Sequence, residues 1–177
     1  NAIKRGAGGL DGDNMMQMRY EGYGPAGVAV IVDCLSDNKN RTVSEVRHAF
    51  TKHGGNLGTD GSVSYLFSKQ GEILLAPGQS EEHAMEVAIE AGADDVSIED
   101  GQIEVITSTE NYQAVLTALQ NHGYTIEESG LMMRPQTTVA VDQETAEIII
   151  KLIDMLEDLD DVQEVYSNAE YPDSVFE

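Results

Sequence analysis

A chain of 177 residues and 19.2 kDa has room for one ordinary domain or two small ones, and 41% hydrophobic with 24% charged residues excludes a disordered tail. No apolar run reaches bilayer length, residues 1–6 lack the apolar stretch of a signal peptide, and the single cysteine, Cys34, excludes an internal disulfide and a cysteine-based zinc site. Ten Lys and Arg against 32 Asp and Glu give a net charge of −22, which taken alone argues against nucleic acid or an anionic membrane as partner.

Residues 1–19 are Gly-rich and polar and read as a linker. Residues 28–35 are a β-branched run of strand length behind the turn-forming 22–27. A helix is expected over 42–53, with Thr42 and Glu45 at capping-box spacing, Val43, Val46 and Phe50 as its apolar stripe, and Gly54-Gly55 as its stop. Residues 62–68 alternate as a strand, with Val63, Tyr65 and Phe67 on one face.

The segment 71–134 reads as a complete βαββαβ unit. A strand at 72–76 leads to a helix from Ser80 to the stop at Gly92. Two alternating runs flank Asp100-Gly101, the residue pair a type I′ hairpin turn favours. Tyr112, Val115, Leu116 and Leu119 mark a second helix ended by Gly123, and a strand closes at 124–133. After it come a strand at 137–141, a helix at about 143–159 behind Asp142, and a strand at 162–166. Residues 20–70 and 135–177 together would form a second such unit. The expected fold class is therefore α+β: two ferredoxin-like βαββαβ domains, with the acidic 71–134 inserted within the discontinuous 20–70 plus 135–177.

Charge is distributed unevenly along this plan. Residues 70–133 hold thirteen acids and no Lys or Arg, and residues 154–177 hold nine acids and none. Residues 36–69 carry five bases and three acids, a local +2 in a chain that is otherwise −24. On a helical projection Arg41, His48 and Lys52 share the pole opposite the apolar stripe, with Arg47 on the flank; Lys39 and Arg41 precede the first turn as placed here. Lys39, Asn40, Arg41, Arg47 and Lys52 are accordingly the candidate phosphate contacts, with Asn40 shaping the helix entry. The bland reading of the same residues is a solvated face. The Gly-rich stretch 53–62 is either a helix C-cap and tight connection or a backbone or anion nest formed by Gly54, Gly55, Asn56, Gly58 and Gly61. It lacks the Gly-Lys-Ser/Thr ending of a nucleotide loop.

No catalytic constellation, metal site or cofactor motif emerges. His48, His53, His83 and His122 lack ligand spacing, Cys34 sits in an apolar strand, and the carboxylates from Asp154 to Asp161 lack an EF-hand pattern.

The strings at 20–25 (YEGYGP), 36–42 (SDNKNRT), 45–50 (EVRHAF), 54–62 (GGNLGTDGS), 154–158 (DMLED) and 161–166 (DVQEVY) resemble the YebC family across essentially the whole chain. That family includes bacterial proteins described as transcriptional regulators and the mitochondrial translational activator of cytochrome oxidase. The resemblance implies a non-enzymatic regulator of gene expression, bound to DNA or to rRNA in the ribosome, where members relieve stalled translation. It also implies a basic helical N-terminal domain before residue 1, which would supply most of the nucleic-acid contact. A cytoplasmic location and no membrane partner are expected. The alternative reading is an acidic protein-interaction module that docks basic partner proteins.

Overall fold

The computed structural model of the chain describes residues 15–173. The described residues up to Phe67 and from Pro135 onward form one compact unit, and Ser68–Arg134 form the other. Both are α+β, and each has a four-stranded sheet with two helices, the ferredoxin-like arrangement. No helix among the described residues is long and apolar enough to cross a membrane.

The discontinuous unit contains β1 (Met16–Tyr23), β2 (Ala29–Ser36), α1 (Lys39–Lys52) and the two-residue β3 (Asn56–Leu57). Its sheet is completed from the far end of the chain by β9 (Val162–Ser167), in the order β9-β2-β1-β3, all antiparallel. Val28, Val30, Val32 and Cys34 point from β2 and its approach into one core. There they meet Val46, Ala49 and Phe50 of α1 and Ile149, Leu152 and Leu156 of α4 (Gln143–Glu157). The 3.6-residue repeat that places these side chains on one stripe is what makes both helices amphipathic.

Three strand assignments change here. Residues 16–19, read as part of the 1–19 linker, belong to β1, which pairs with β2 along its whole length; residues 1–14 of that linker lie outside the described residues. Residues 62–68 are not a strand of this sheet: Ser64–Leu66 is a 3-10 turn, and β4 (Phe67–Leu75) runs on into the other unit. Residues 137–141 contribute only the short β8 (Val139–Ala140), paired in parallel with β10 (Ala169–Glu170). This unit therefore runs strand–strand–helix–strand before the middle unit and strand–helix–strand–strand after it, not the expected βαββαβ order. Of the three side chains expected on one face there, Val63 and Phe67 are buried and Tyr65 is 72% exposed, so burial does not follow the two-residue period of a strand.

In the middle unit β4 is followed by α2 (Glu81–Ala91), β5 (Asp95–Glu99), β6 (Gln102–Thr107), α3 (Tyr112–Asn121) and β7 (Ile126–Pro135). The sheet order is β5-β6-β4-β7. Asp100 at φ 53° and Gly101 at φ 79° turn β5 into β6, the positive φ pair expected of a type I′ turn. Ile73, Leu75, Ala84, Ala88, Ile103, Val105, Val115 and Leu119 are its buried centre.

Candidate nucleic-acid interface

Helix α1 starts three residues before the capping box suggested. Asn38 is its N-cap, the side-chain oxygen accepting from the Arg41 amide at 3.0 Å. Lys39, Asn40 and Arg41 thus form the first turn. Thr42, read as the cap, is buried inside the helix, and its hydroxyl donates to Asp161 Oδ2 at 2.7 Å. Asn, Ser and Thr all cap well, so the local sequence 36–42 holds several competing starts.

The candidate contacts then separate. The Arg41 guanidinium is committed to the protein: Nη2 lies 3.0 Å from Asp161 Oδ1, Nε lies 3.2 Å from Oδ2, and Nη2 also reaches the Ser36 hydroxyl and Asp37. Arg41 still carries about half its side-chain surface to solvent, but its charge is paired and its Nε and Nη2 donors are engaged. Lys39, Asn40, Arg47 and Lys52 are exposed on α1, and Lys39, Arg47 and Lys52 make no ion pair among the described residues.

A cation outside the candidate set joins them. Lys151, on α4, lines one open depression together with Lys52, His53, Gly54, Pro25 and Ile148. The depression measures about 570 Å³ and no carboxylate lines it. Helix α4 packs beside α1, and Lys151 follows Ile148 by three residues, so both fall on the same outer edge of that helix. Only the packing of the two helices makes Lys52 and Lys151 neighbours.

The Gly-rich stretch is split between two jobs. Gly54 ends α1 at φ 78°, and the Gly55 amide reaches back to Phe50 O at 2.8 Å, a helix C-cap. Gly55 is buried, and a Cβ there would overlap the Tyr23 carbonyl. Asn56 enters β3. The following loop does form an anion-holding nest, and its anion is the protein's own Glu21. The Gly61 amide donates to Glu21 Oε2 at 2.8 Å, and the Val63 and Ser64 amides donate to Oε1 at 3.0 and 2.6 Å. The Gly58 amide donates to the Glu21 carbonyl at 2.7 Å. Burial pushes the Glu21 carboxyl up, and these amides outweigh it and hold the group below its usual range.

The remaining groups take structural places. Cys34 is buried in β2 and burial pushes its thiol up to about 12, far from a reactive thiolate. The rings of His83 and His122 meet edge to face at 5.7 Å between α2 and α3, and no cluster of three or more metal-ligating groups exists among the described residues.

Residues 15–169 match the family described as TACO1/YebC second and third domain. A probable transcriptional regulatory protein of Legionella pneumophila is 70% identical over 177 residues, covering 100% of this chain and 72% of that protein. One of Hahella chejuensis is 59% identical over 177 residues, covering 99% and 71%. The crystal structure of a conserved hypothetical protein from Aquifex aeolicus superposes with a TM-score of 0.85 at 47% identity, covering 99% of this chain and 73% of that one.

Proposed function

The chain belongs to the TACO1/YebC family, and from that we propose that it is part of a regulator of gene expression that touches the phosphate backbone of nucleic acid through Lys39, Arg47, Lys52 and Lys151. The proposed role is one of binding, without a chemical step. The names of its relatives support a regulatory role. The observation that carries the contact surface is the depression where Lys52 and Lys151 meet over Pro25 and Ile148 with no carboxylate in its lining. Phosphate contacts need positive charge and donors, and they position a protein without reading sequence. In a chain of net charge −22, a depression lined by two lysines and no carboxylate offers a polyanion local attraction. Arg41 is left out of the proposed surface because its charge is paired with Asp161. Asn40 remains at the helix entry as a neutral donor beside Lys39.

The test is fluorescence anisotropy of the 177-residue chain on duplex DNA and on a structured rRNA fragment across a salt series. Weak binding is expected, because the local +2 works against −24 elsewhere. Lys52→Ala with Lys151→Ala should weaken it further and flatten the log–log salt slope by about 0.9 per lost duplex contact. The nucleic acid on which the slope changes is the partner class. Equal affinity and slope for wild type and double variant on both nucleic acids would overturn the assignment.

A further inference from the structure

The middle unit carries an apolar flank that its own fold does not cover. On α2, Ala84, Val87 and Ala88 are buried, while Met85 and Ile89, one turn apart, are 40% and 50% exposed. His83 and Val87 face α3, so Met85 and Ile89 occupy the opposite flank of α2. That flank leads to β5, the outermost strand of the sheet, against which α2 packs. In β5, Val96 and Ile98 pair with Val105 and Ile103, both buried in the helix-facing core, so Ile98 also faces the helix side; it is 38% exposed.

The charge around this flank has one sign. Glu82 and Glu86 stand at i and i+4 on α2, like charges that disfavour a helix left to itself, while Glu90 lines the groove toward α3. Asp95 and Glu99 are exposed on β5, on the face of the strand away from Val96 and Ile98. No Lys or Arg occurs between residues 70 and 133 to offset them. Charged side chains on an edge strand also block pairing with a second copy, whose edge would bring the same acids. The same repulsion excludes a polyanion.

We propose that the α2–β5 flank is a docking surface for a basic protein segment, one that lays apolar side chains on Met85, Ile89 and Ile98 and sets Lys or Arg against Glu82 and Glu86. Apolar contact supplies the affinity, and the acids select the sign of the partner and speed its encounter. This surface lies in a different unit from the Lys52–Lys151 depression and does not depend on it.

The probe is a synthetic peptide of alternating Lys and Leu, carrying a fluorophore and a photoreactive crosslinker, titrated into the 177-residue chain. A Lys/Ser peptide tests charge alone, and a Glu/Leu peptide tests apolar contact alone. The Lys/Leu peptide should bind, crosslink to α2 or β5, and lose roughly tenfold in affinity when Met85→Ser and Ile89→Ser are combined. Leu131→Ser, an exposed apolar change on β7 at the other edge of the sheet, should leave it unchanged. Circular dichroism checks that the exposed substitutions leave the fold intact. Equal binding of Lys/Leu and Lys/Ser peptides, crosslinks spread over the acidic surface, or self-association abolished by Ile89→Ser in sedimentation would each overturn the proposal.

Discussion

Arg41 and Asp161 are 120 residues apart in sequence and share an ion pair with both carboxylate oxygens engaged. The pair fastens the first turn of α1 to the loop that enters β9, and the Asp161 carbonyl accepts from the Leu35 amide on the same seam at 2.8 Å. Asp161 is buried and Arg41 half exposed, so the carboxylate is the costlier group to leave unpartnered. Arg41→Ala, which strands that carboxylate, should therefore lower stability more than Asp161→Ala, which leaves a guanidinium that water can reach; denaturant unfolding of the two variants compares them. The Arg41 guanidinium, with the Thr42 hydroxyl, holds the Asp161 carboxyl below the usual carboxylate range. A lowered folded pKa means the stabilisation is complete above the unfolded value of about 3.9 and is lost as pH falls through the folded one. The stability gap between wild type and Asp161→Asn should therefore shrink on acidification below about pH 4. A gap that widens there would contradict the ion pair.

Glu21 should behave as a structural anion. Glu21→Gln keeps the shape but replaces one acceptor oxygen with a donor facing backbone amides. It should cost about 2 kcal/mol, read in urea unfolding. Hydrogen exchange at Gly61, Val63 and Ser64 should speed up together, since one carboxylate holds all three. Unchanged protection at these amides would show that the nest is held by something else.

Glu72 should weaken the middle unit at neutral to alkaline pH. Its hydrogen bond with Glu104, burial and the nearby Glu128 push its carboxyl up to about 7, with Arg134 opposing. A folded pKa above the unfolded one means the native state binds the extra proton, so this contribution is fully present below about pH 4.5 and lost as pH rises through about 7. Glu72→Gln, which mimics the protonated form, should raise the melting temperature at pH 8 and leave it nearly unchanged at pH 4. A Glu72→Gln variant with the same shift at both values would show that the carboxyls titrate independently.

Two glycines should respond oppositely to alanine. At Gly55 a Cβ would overlap the Tyr23 carbonyl and crowd Gly24, both backbone, so α1 and β1 would have to separate. At Gly130, in β7, φ lies outside the left-handed region and nothing stands within 4 Å of the new Cβ. Gly55→Ala should destabilise by about 2 kcal/mol or more, while Gly130→Ala should be neutral or stabilise by up to about 1 kcal/mol through the unfolded chain. Thermal unfolding of the two variants side by side decides it.

Elements whose signals are local were legible in the sequence. Gly92 ending α2, Asp100-Gly101 turning β5 into β6, and Asp142 capping α4 are each decided within a few residues by φ preference or by one side-chain hydrogen bond. The same holds for the apolar stripes of α1 and α4, because burial on one helix face imposes its own period. The strand at 16–23 was missed although Met16, Met18 and Tyr20 alternate with Gln17, Arg19 and Glu21, the period of a half-buried strand, because the Gly-rich stretch ahead of it was carried on to residue 19. The fate of charges was set wholly by tertiary structure. Arg41 looks as free as Lys52 on a helical wheel, but a carboxylate from the other end of the chain takes its donors. Glu21 looks like one acid among 32, but a loop some 40 residues later folds its amides onto it. Lys151 looks isolated on α4, but helix packing sets it beside Lys52. Sequence fixes how much charge the chain carries and in which segments; which charges remain available to a partner depends on Coulomb and hydrogen-bond contacts acting over a few ångströms, and chain closure alone decides those.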